Sequence, residues 1–372
     1  MSSNPLKALS ELGQSVWYDY IRRDLVEGGG LARLIESDGL SGMTSNPTIF
    51  EKAIAGSALY DADISGAGSG KTAAEVYEPL AIRDVRGAAD VFRPVFDARG
   101  GDDGFVSIEV APHLARDTQA TIGEARRLWS ECGRPNVMVK IPGTAEGVPA
   151  IRRCLSEGLN INVTLLFSVA RYREVMDAYL SGLEDRAKAG QALGAIRSVA
   201  SFFVSRVDTN VDKKLDALAQ AGDTRAKALR GKLAIANARI AYEAFEEVFA
   251  SPRWKALEEK GARRQRPLWA STSTKDPSLP DLYYVEALIA PDSVDTMPPE
   301  TYDAYRDHGN PKVRIRDDRD AAQADFRALR DLGISIDQVA VELENEGVKK
   351  FSDSFDSLMK AIEQKQRAMR VA

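Results

Sequence analysis

Short apolar runs alternate along the chain with longer stretches in which apolar and charged residues repeat at helical spacing. The short runs read as strands: SVWYDYI (15–21), GLSGMTS (39–45), GFVSIEV (104–110), NVMVKI (136–141), NINVTLL (160–166), RSVASFF (197–203), PLWAST (267–272) and LYYVEALI (282–289). Between most of them lie amphipathic segments such as TIGEARRLWSECG, ARYREVMDAYLSGLEDRAKAG and TRAKALRGKLAIANARIAYEAFEEVF. Strands that alternate with helices imply parallel β-structure and right-handed crossovers. About eight such units predict an α/β fold, a closed (β/α)8 TIM barrel, with an open doubly wound sheet as the alternative.

The chain has 372 residues, more than the roughly 250 of a minimal barrel. The surplus falls in two places. Residues 47–100 are expected to form an extra helical layer between strands 2 and 3. Residues 291–372 are expected to form a C-terminal helical extension, ending in the helical run GVKKFSDSFDSLMKAIEQKQRAM. No Pro- or Ser-rich linker, repeat or low-complexity tract divides the chain, so a single domain over 1–372 is the expectation. SGAGSGKT (65–72) nearly spells a phosphate-binding loop, but its first position is Ser65 and the preceding LYDADI is no buried strand. It reads instead as a turn leading into the helix AAEVYEPLAI.

Composition narrows the function classes. Apolar content of 44% and charged content of 28% fit a soluble globular protein with a large core. A net charge of -5 argues against a nucleic-acid or acidic-membrane binder. No apolar run approaches the roughly 20 residues of a membrane span. MSSNPLKALSELG lacks the apolar segment of a secretory signal, and Cys132 and Cys154 are the only cysteines. Both observations predict a cytoplasmic protein. His113 and His308 stand in no metal-spaced cluster, so no metal site is expected and catalysis would rest on Lys, Asp and Glu. The helix surfaces leave monomer and homodimer equally open.

In a barrel, chemistry gathers at the C-terminal ends of the strands. The polar residues near those ends are Asp19, Thr44, Asn46, Glu109, Lys140, Asn162, Thr164, Ser201 and Ser271. Each taken alone has a structural reading: Asp19 paired with an arginine, Asn46 capping the turn before Pro47, Thr164 an ordinary strand residue. Their convergence on one rim is what points to a site. Lys140 stands inside the apolar run NVMVKIPGT. It reads either as a lysine salt-bridged to Glu109 or Asp19, or as a nucleophile. Only the free amine attacks a carbonyl, and burial favours that form, a shift of about three units corresponding to roughly 4 kcal/mol. A lysine so placed is the usual Schiff-base former, and two carboxylates could divide the proton transfers.

GMTSNPTIF (42–50), SIEVAP (107–112), NVMVKIPGT (136–144), INVTLLFS (161–168) and ASFFVSRVD (200–208) resemble the transaldolases in order and spacing, from Trp17 to about Pro298. WASTSTKDP (269–277) and YVEALIAPDSVDTMP (284–298) are similar to the longer bacterial form. The resemblance implies a cofactor-independent class I aldolase-type barrel. It would transfer a dihydroxyacetone unit from sedoheptulose 7-phosphate or fructose 6-phosphate to glyceraldehyde 3-phosphate or erythrose 4-phosphate, in the non-oxidative pentose phosphate route. It matches Lys140 to the Schiff-base lysine, and Asp19 to the aspartate that deprotonates the C4 hydroxyl. Glu109 and Thr164 match the pair that holds a catalytic water. Asn46 and Asn162, with Thr44 and Ser201 close by, match the residues around the three-carbon unit. Phe203 matches the aromatic residue after strand 6, and Arg206 a phosphate-gripping arginine.

One position departs from the shorter form of the family, which carries a second phosphate-binding arginine two residues after its seventh-strand serine. Counted from Ser271, that position is Ser273, and Lys275, the nearest cation, is expected to replace the arginine as a flexible point charge in the substrate site. Two alternatives stand beside transfer. One is a Schiff-base aldolase that releases free dihydroxyacetone; the resembling fructose-6-phosphate aldolases tend to carry Gln where Glu109 stands. The other is a non-catalytic barrel that binds sugar phosphate.

Overall fold

The structure, a computed structural model, describes residues 4–68 and 70–371. Eight parallel strands close a barrel in sequence order. They are β1 Gln14–Tyr18, β2 Gly42–Met43, β3 Phe105–Glu109, β4 Val137–Pro142, β5 Ile161–Leu166, β6 Ser198–Phe203, β7 Arg266–Ala270 and β8 Ser293–Met297. Closure joins β1 to β8 in continuous register, from Gln14 opposite Ser293 to Tyr18 opposite Met297. The alternation of β4 explains its apolar run. Met138 and Lys140 face the barrel interior, where they line cavities at its two ends. Val137, Val139 and Ile141 therefore face the surrounding helices, and all three are fully buried. Gly42 of the short β2 lies under the Trp17 indole; a Cβ there would stand 2.5 Å from ring atoms.

Strands β1 to β7 coincide with the expected runs to within a few residues. The eighth does not. LYYVEALI, expected as a strand over 282–289, contains the helical turn Tyr283–Ala287, and the strand is SVDTM, Ser293–Met297. The burial pattern explains the error: Tyr284, Val285, Leu288 and Ile289 are buried while Glu286 is not, which is helical spacing. The true strand is masked by Ser293, Asp295 and Thr296, polar residues that are nonetheless buried. Gln14 Nε2 donates to Ser293 Oγ at 3.0 Å, and Thr272 Oγ1 donates to Asp295 Oδ1 at 3.0 Å. The stretch 291–372 thus includes the last barrel strand as well as the helical extension.

Helices Pro47–Ala55, Asp61–Gly66 and Ala73–Ala98 fill the interval between β2 and β3. Ser65 and Gly66 end one helix and Thr72 caps the next through a capping box with Glu75, so no strand feeds SGAGSGKT; its Ser69 lies outside the described residues. The C-terminal helix Ile336–Val371 crosses the rim of the barrel, packing on the helices after β2 and β6 and on β5. Thr48 and Ser354 share a hydroxyl hydrogen bond of 2.9 Å. Lys365 pairs with Asp61 at 2.5 Å, Arg116 with Glu344 at 2.8 Å and Lys214 with Glu342 at 2.7 Å. Among the described residues no helix is long and apolar enough to cross a membrane.

Candidate active site

A cavity of about 1030 Å³ opens at the C-terminal end of the strands. Of the residues expected at the site, Asp19, Thr44, Asn46, Lys140, Ser201, Phe203, Arg206, Ser271 and Lys275 line it. Glu109, Asn162 and Thr164 do not line it but stand on the strands beside β4, Glu109 opposite Lys140, Asn162 opposite Lys140 and Thr164 opposite Pro142. Parallel register places these side chains side by side although the sequence separates them widely.

Lys140 is 4% exposed. Its Nζ donates to the Ser45 carbonyl at 3.3 Å and stands 3.6 Å from Glu109 Oε2. The Glu109 side chain is 3% exposed, and neither of its oxygens has a hydrogen-bond partner among the described residues. Burial pushes the Glu109 carboxyl up to about 7, against the pull of the Lys140 charge. The Thr164 hydroxyl, also buried, is likewise without a partner. Asp19 follows the end of β1. Burial raises its pKa, while Lys140 and a hydrogen bond from Thr44 pull it back. Thr44 Oγ1 donates to Asp19 Oδ1 at 2.7 Å and shares a 2.6 Å hydrogen bond with Thr296 Oγ1. One amine therefore sits among two carboxyls in unlike settings, an arrangement able to form an imine and move protons around it.

The two amides are held differently. Asn46 Oδ1 accepts from Ile49 N at 3.0 Å, capping the helix Pro47–Ala55, and this leaves the amide nitrogen for the cavity. Asn162 is fully buried; Ser201 Oγ donates to its Oδ1 at 2.7 Å and its Nδ2 donates to Ser107 Oγ at 3.0 Å.

Arg206 closes another side. Its guanidinium stacks 4.8 Å over Phe203 and 5.9 Å over Phe351 of the C-terminal helix. It is not tied to Asp208, which instead accepts from Ala234 N at 2.7 Å and the Tyr284 hydroxyl at 2.9 Å. Two rim residues other than glycine take left-handed backbone, Leu165 at φ 59° and Ser271 at φ 57°, a conformation that concentrates at functional sites. Lys275 lies on the loop after β7 and donates to Ser273 Oγ at 2.6 Å, so the nearest cation does reach the serine that stands at the arginine position.

Sequence reasoning missed Thr296, Ser45, Ser107, Phe351 and Lys350. Thr296 was hidden by the misplaced eighth strand. The helical residues carry no signal beyond the amphipathic face on which they lie.

The chain is similar to several curated transaldolases. The chain is 52% identical to a transaldolase of Thermobifida fusca (strain YX) over 363 residues, covering 97% of this chain and 98% of the relative. It is 53% identical to a transaldolase of Acidothermus cellulolyticus over 364 residues, 97% and 96% of the two chains. A transaldolase of Frankia alni is 51% identical over 364 residues, 97% of each. The family model described as transaldolase/fructose-6-phosphate aldolase matches residues 16–362, and the chain belongs to that family.

Proposed function

We propose that the protein is a transaldolase that carries a dihydroxyacetone unit between sugar phosphates as a Schiff base on Lys140. The observation that carries this reading is the buried Lys140 amine on a cavity wall, 3.6 Å from Glu109 and sharing the cavity with Asp19. The donors are sedoheptulose 7-phosphate or fructose 6-phosphate, and the acceptors glyceraldehyde 3-phosphate or erythrose 4-phosphate. The reaction belongs to the non-oxidative pentose phosphate route of the cytoplasm.

The free amine of Lys140 adds to the C2 ketone, and a proton reaches the carbinolamine hydroxyl as water leaves. Glu109, with a carboxyl near neutrality, is suited to give and take that proton. The unpartnered Glu109 oxygens and Thr164 hydroxyl form a seat for the mediating water. Asp19 then takes the C4 hydroxyl proton. The C3–C4 bonding electrons flow into the imine, the aldose phosphate leaves, and an enamine remains on Lys140. An acceptor aldehyde reverses these steps. Thr44 orients Asp19 through its hydrogen bond, while Asn46, Asn162, Ser201 and Ser271 surround the three-carbon unit. Arg206, flattened on Phe203, grips the phosphate.

Borohydride reduction in the presence of fructose 6-phosphate is expected to fix a three-carbon adduct on Lys140. An adduct on another lysine removes Lys140 as the nucleophile, and no adduct at all removes the Schiff-base reading and favours a binding barrel. The family model also spans fructose-6-phosphate aldolases, so release of free dihydroxyacetone is the second reading. Turnover that waits for an added acceptor supports transfer, whereas steady dihydroxyacetone release without one supports the aldolase.

A further inference from the structure

Arg206 is not the only cation presented to the cavity. Leu343, Glu346, Lys350 and Phe351 of the C-terminal helix all line it, and their spacing of three, four and one residues places them on one face. Gly347 lets this helix seat closely on the rim. A Cβ there would stand 2.9 Å from Leu165 Cδ2 and 3.6 Å from an Arg206 guanidinium nitrogen. Phe351, one turn on, faces the same guanidinium at 5.9 Å. Lys350 is thus carried by the turn that packs against Arg206.

Among the described residues Lys350, Lys52 and Arg206 form no direct ion pair, although the charges of Asp19, Glu109 and Glu346 reach Arg206 from farther off, and all three cations line the cavity. Lys275, also on its wall, touches only a serine hydroxyl. The acidic residues at the mouth are Asp281, which pairs with His308 at 3.2 Å, Glu300 and Glu346. Partial burial and the charges of Arg206, Lys275 and Lys52 hold the Lys350 ammonium below its ordinary pKa. Cations gathered without paired carboxylates repel one another until an anion joins them, and a phosphate dianion meets that need.

We infer that Lys350, with Lys275, completes the phosphate seat that Arg206 begins, so that the C-terminal helix sets the preference for phosphorylated over unphosphorylated aldoses. The inference rests on the sugar-phosphate reading of the cavity given above and extends it to a residue outside the barrel. Lys350 is a substrate-binding residue in this role; it holds the substrate's far end and leaves the reacting carbons to Lys140 and Asp19.

The test compares three variants of the full chain: Lys350→Gln, Lys350→Arg and Lys349→Gln. Lys349 is the adjacent lysine, but it pairs with Asp353 at 2.5 Å along the helix, so its loss changes net charge equally without touching the cavity. Lys350→Gln is expected to raise KM for erythrose 4-phosphate about three- to ten-fold and leave kcat within about two-fold. The same variant should leave KM for unphosphorylated D-glyceraldehyde unchanged and weaken competitive inhibition by inorganic phosphate by a similar factor. Lys350→Arg should restore both, and Lys349→Gln should alter neither. The inference is overturned if Lys350→Gln leaves the preference for the phosphorylated acceptor intact, or if Lys349→Gln lowers it equally. Phosphate binding measured by calorimetry needs no turnover, and the borohydride adduct on Lys140 is scored separately. A failed phosphate seat therefore reads differently from a failed Schiff base.

Discussion

A carboxyl held near neutrality by burial can serve as an acid in one step and a base in the next, and Glu109 meets that description beside Lys140. Its proton occupancy changes across the range in which the protein would work, so kcat is expected to show an ionisation near pH 7. Glu109→Gln should remove that limb and lower kcat about 10²- to 10⁴-fold. A pH profile of the variant that keeps the limb would assign it to another group. Lys140→Ala should abolish adduct formation while the protein stays folded, because the deletion leaves Glu109 neutral or hydrated and not stranded as a charge. Circular dichroism and the borohydride assay check the two halves of that statement. At this scale the sequence was informative wherever a polar residue interrupts an apolar strand, as Lys140 and Glu109 do. It was silent on Thr296 and Lys350, because the first depends on register and the second on a helix whose Lys350 stands 210 residues after Lys140 (350 − 140).

Seven strands were legible because each is an apolar run that must be buried on both faces, bounded by turns. β8 was not, since Ser293, Asp295 and Thr296 break the apolar pattern and find side-chain partners in Gln14, Thr272 and Thr44, far away in the sequence. The neighbouring LYYVEALI drew the assignment through its aromatic and β-branched content, which a short buried helical turn satisfies equally well. The C-terminal helix was legible as a helix but not as a wall of the cavity; its position is set by Gly347 against Leu165 and by the ties to Thr48, Asp61, Arg116 and Lys214. Gly347→Val should drive that contact apart. The expected cost is about 1–3 kcal/mol of stability, with KM for sugar phosphates raised and the Lys140 adduct still formed at saturating substrate. Thermal unfolding and KM measured on the same preparation test the pair of effects, and an unchanged KM would detach the helix from substrate binding.

For the molecule as a whole, three deeply buried carboxyls bear on stability: Glu109, Asp208 and Asp295, each pushed by burial up to about 7. In the unfolded chain they titrate near their ordinary values, around 4. Between those limits the folded protein binds more protons than the unfolded one, so their contribution is complete below about pH 4 and is lost as pH rises through 7. Melting temperature is expected to fall from pH 6 to pH 8 on their account. Asp295→Asn isolates one of them away from the cavity, on the helix-facing side of β8. It should gain about 1 kcal/mol over the parent at pH 5, rising to about 4 kcal/mol at pH 8. Equal behaviour of the two proteins across that range would show that Asp295 is ionised without penalty. The pairing of residues 14–18 with 293–297 and the placement of residues 336–371 over the rim also fix an order of assembly. On the ribosome, Lys140, Asp19 and Glu109 are all synthesised long before the strand that closes the barrel, and the wall bearing Phe351 is synthesised after that strand. The nascent chain thus carries Lys140 through a long stretch of synthesis without the wall that Phe351 and its helix supply, and the cavity becomes whole only once residues 336–371 have been made.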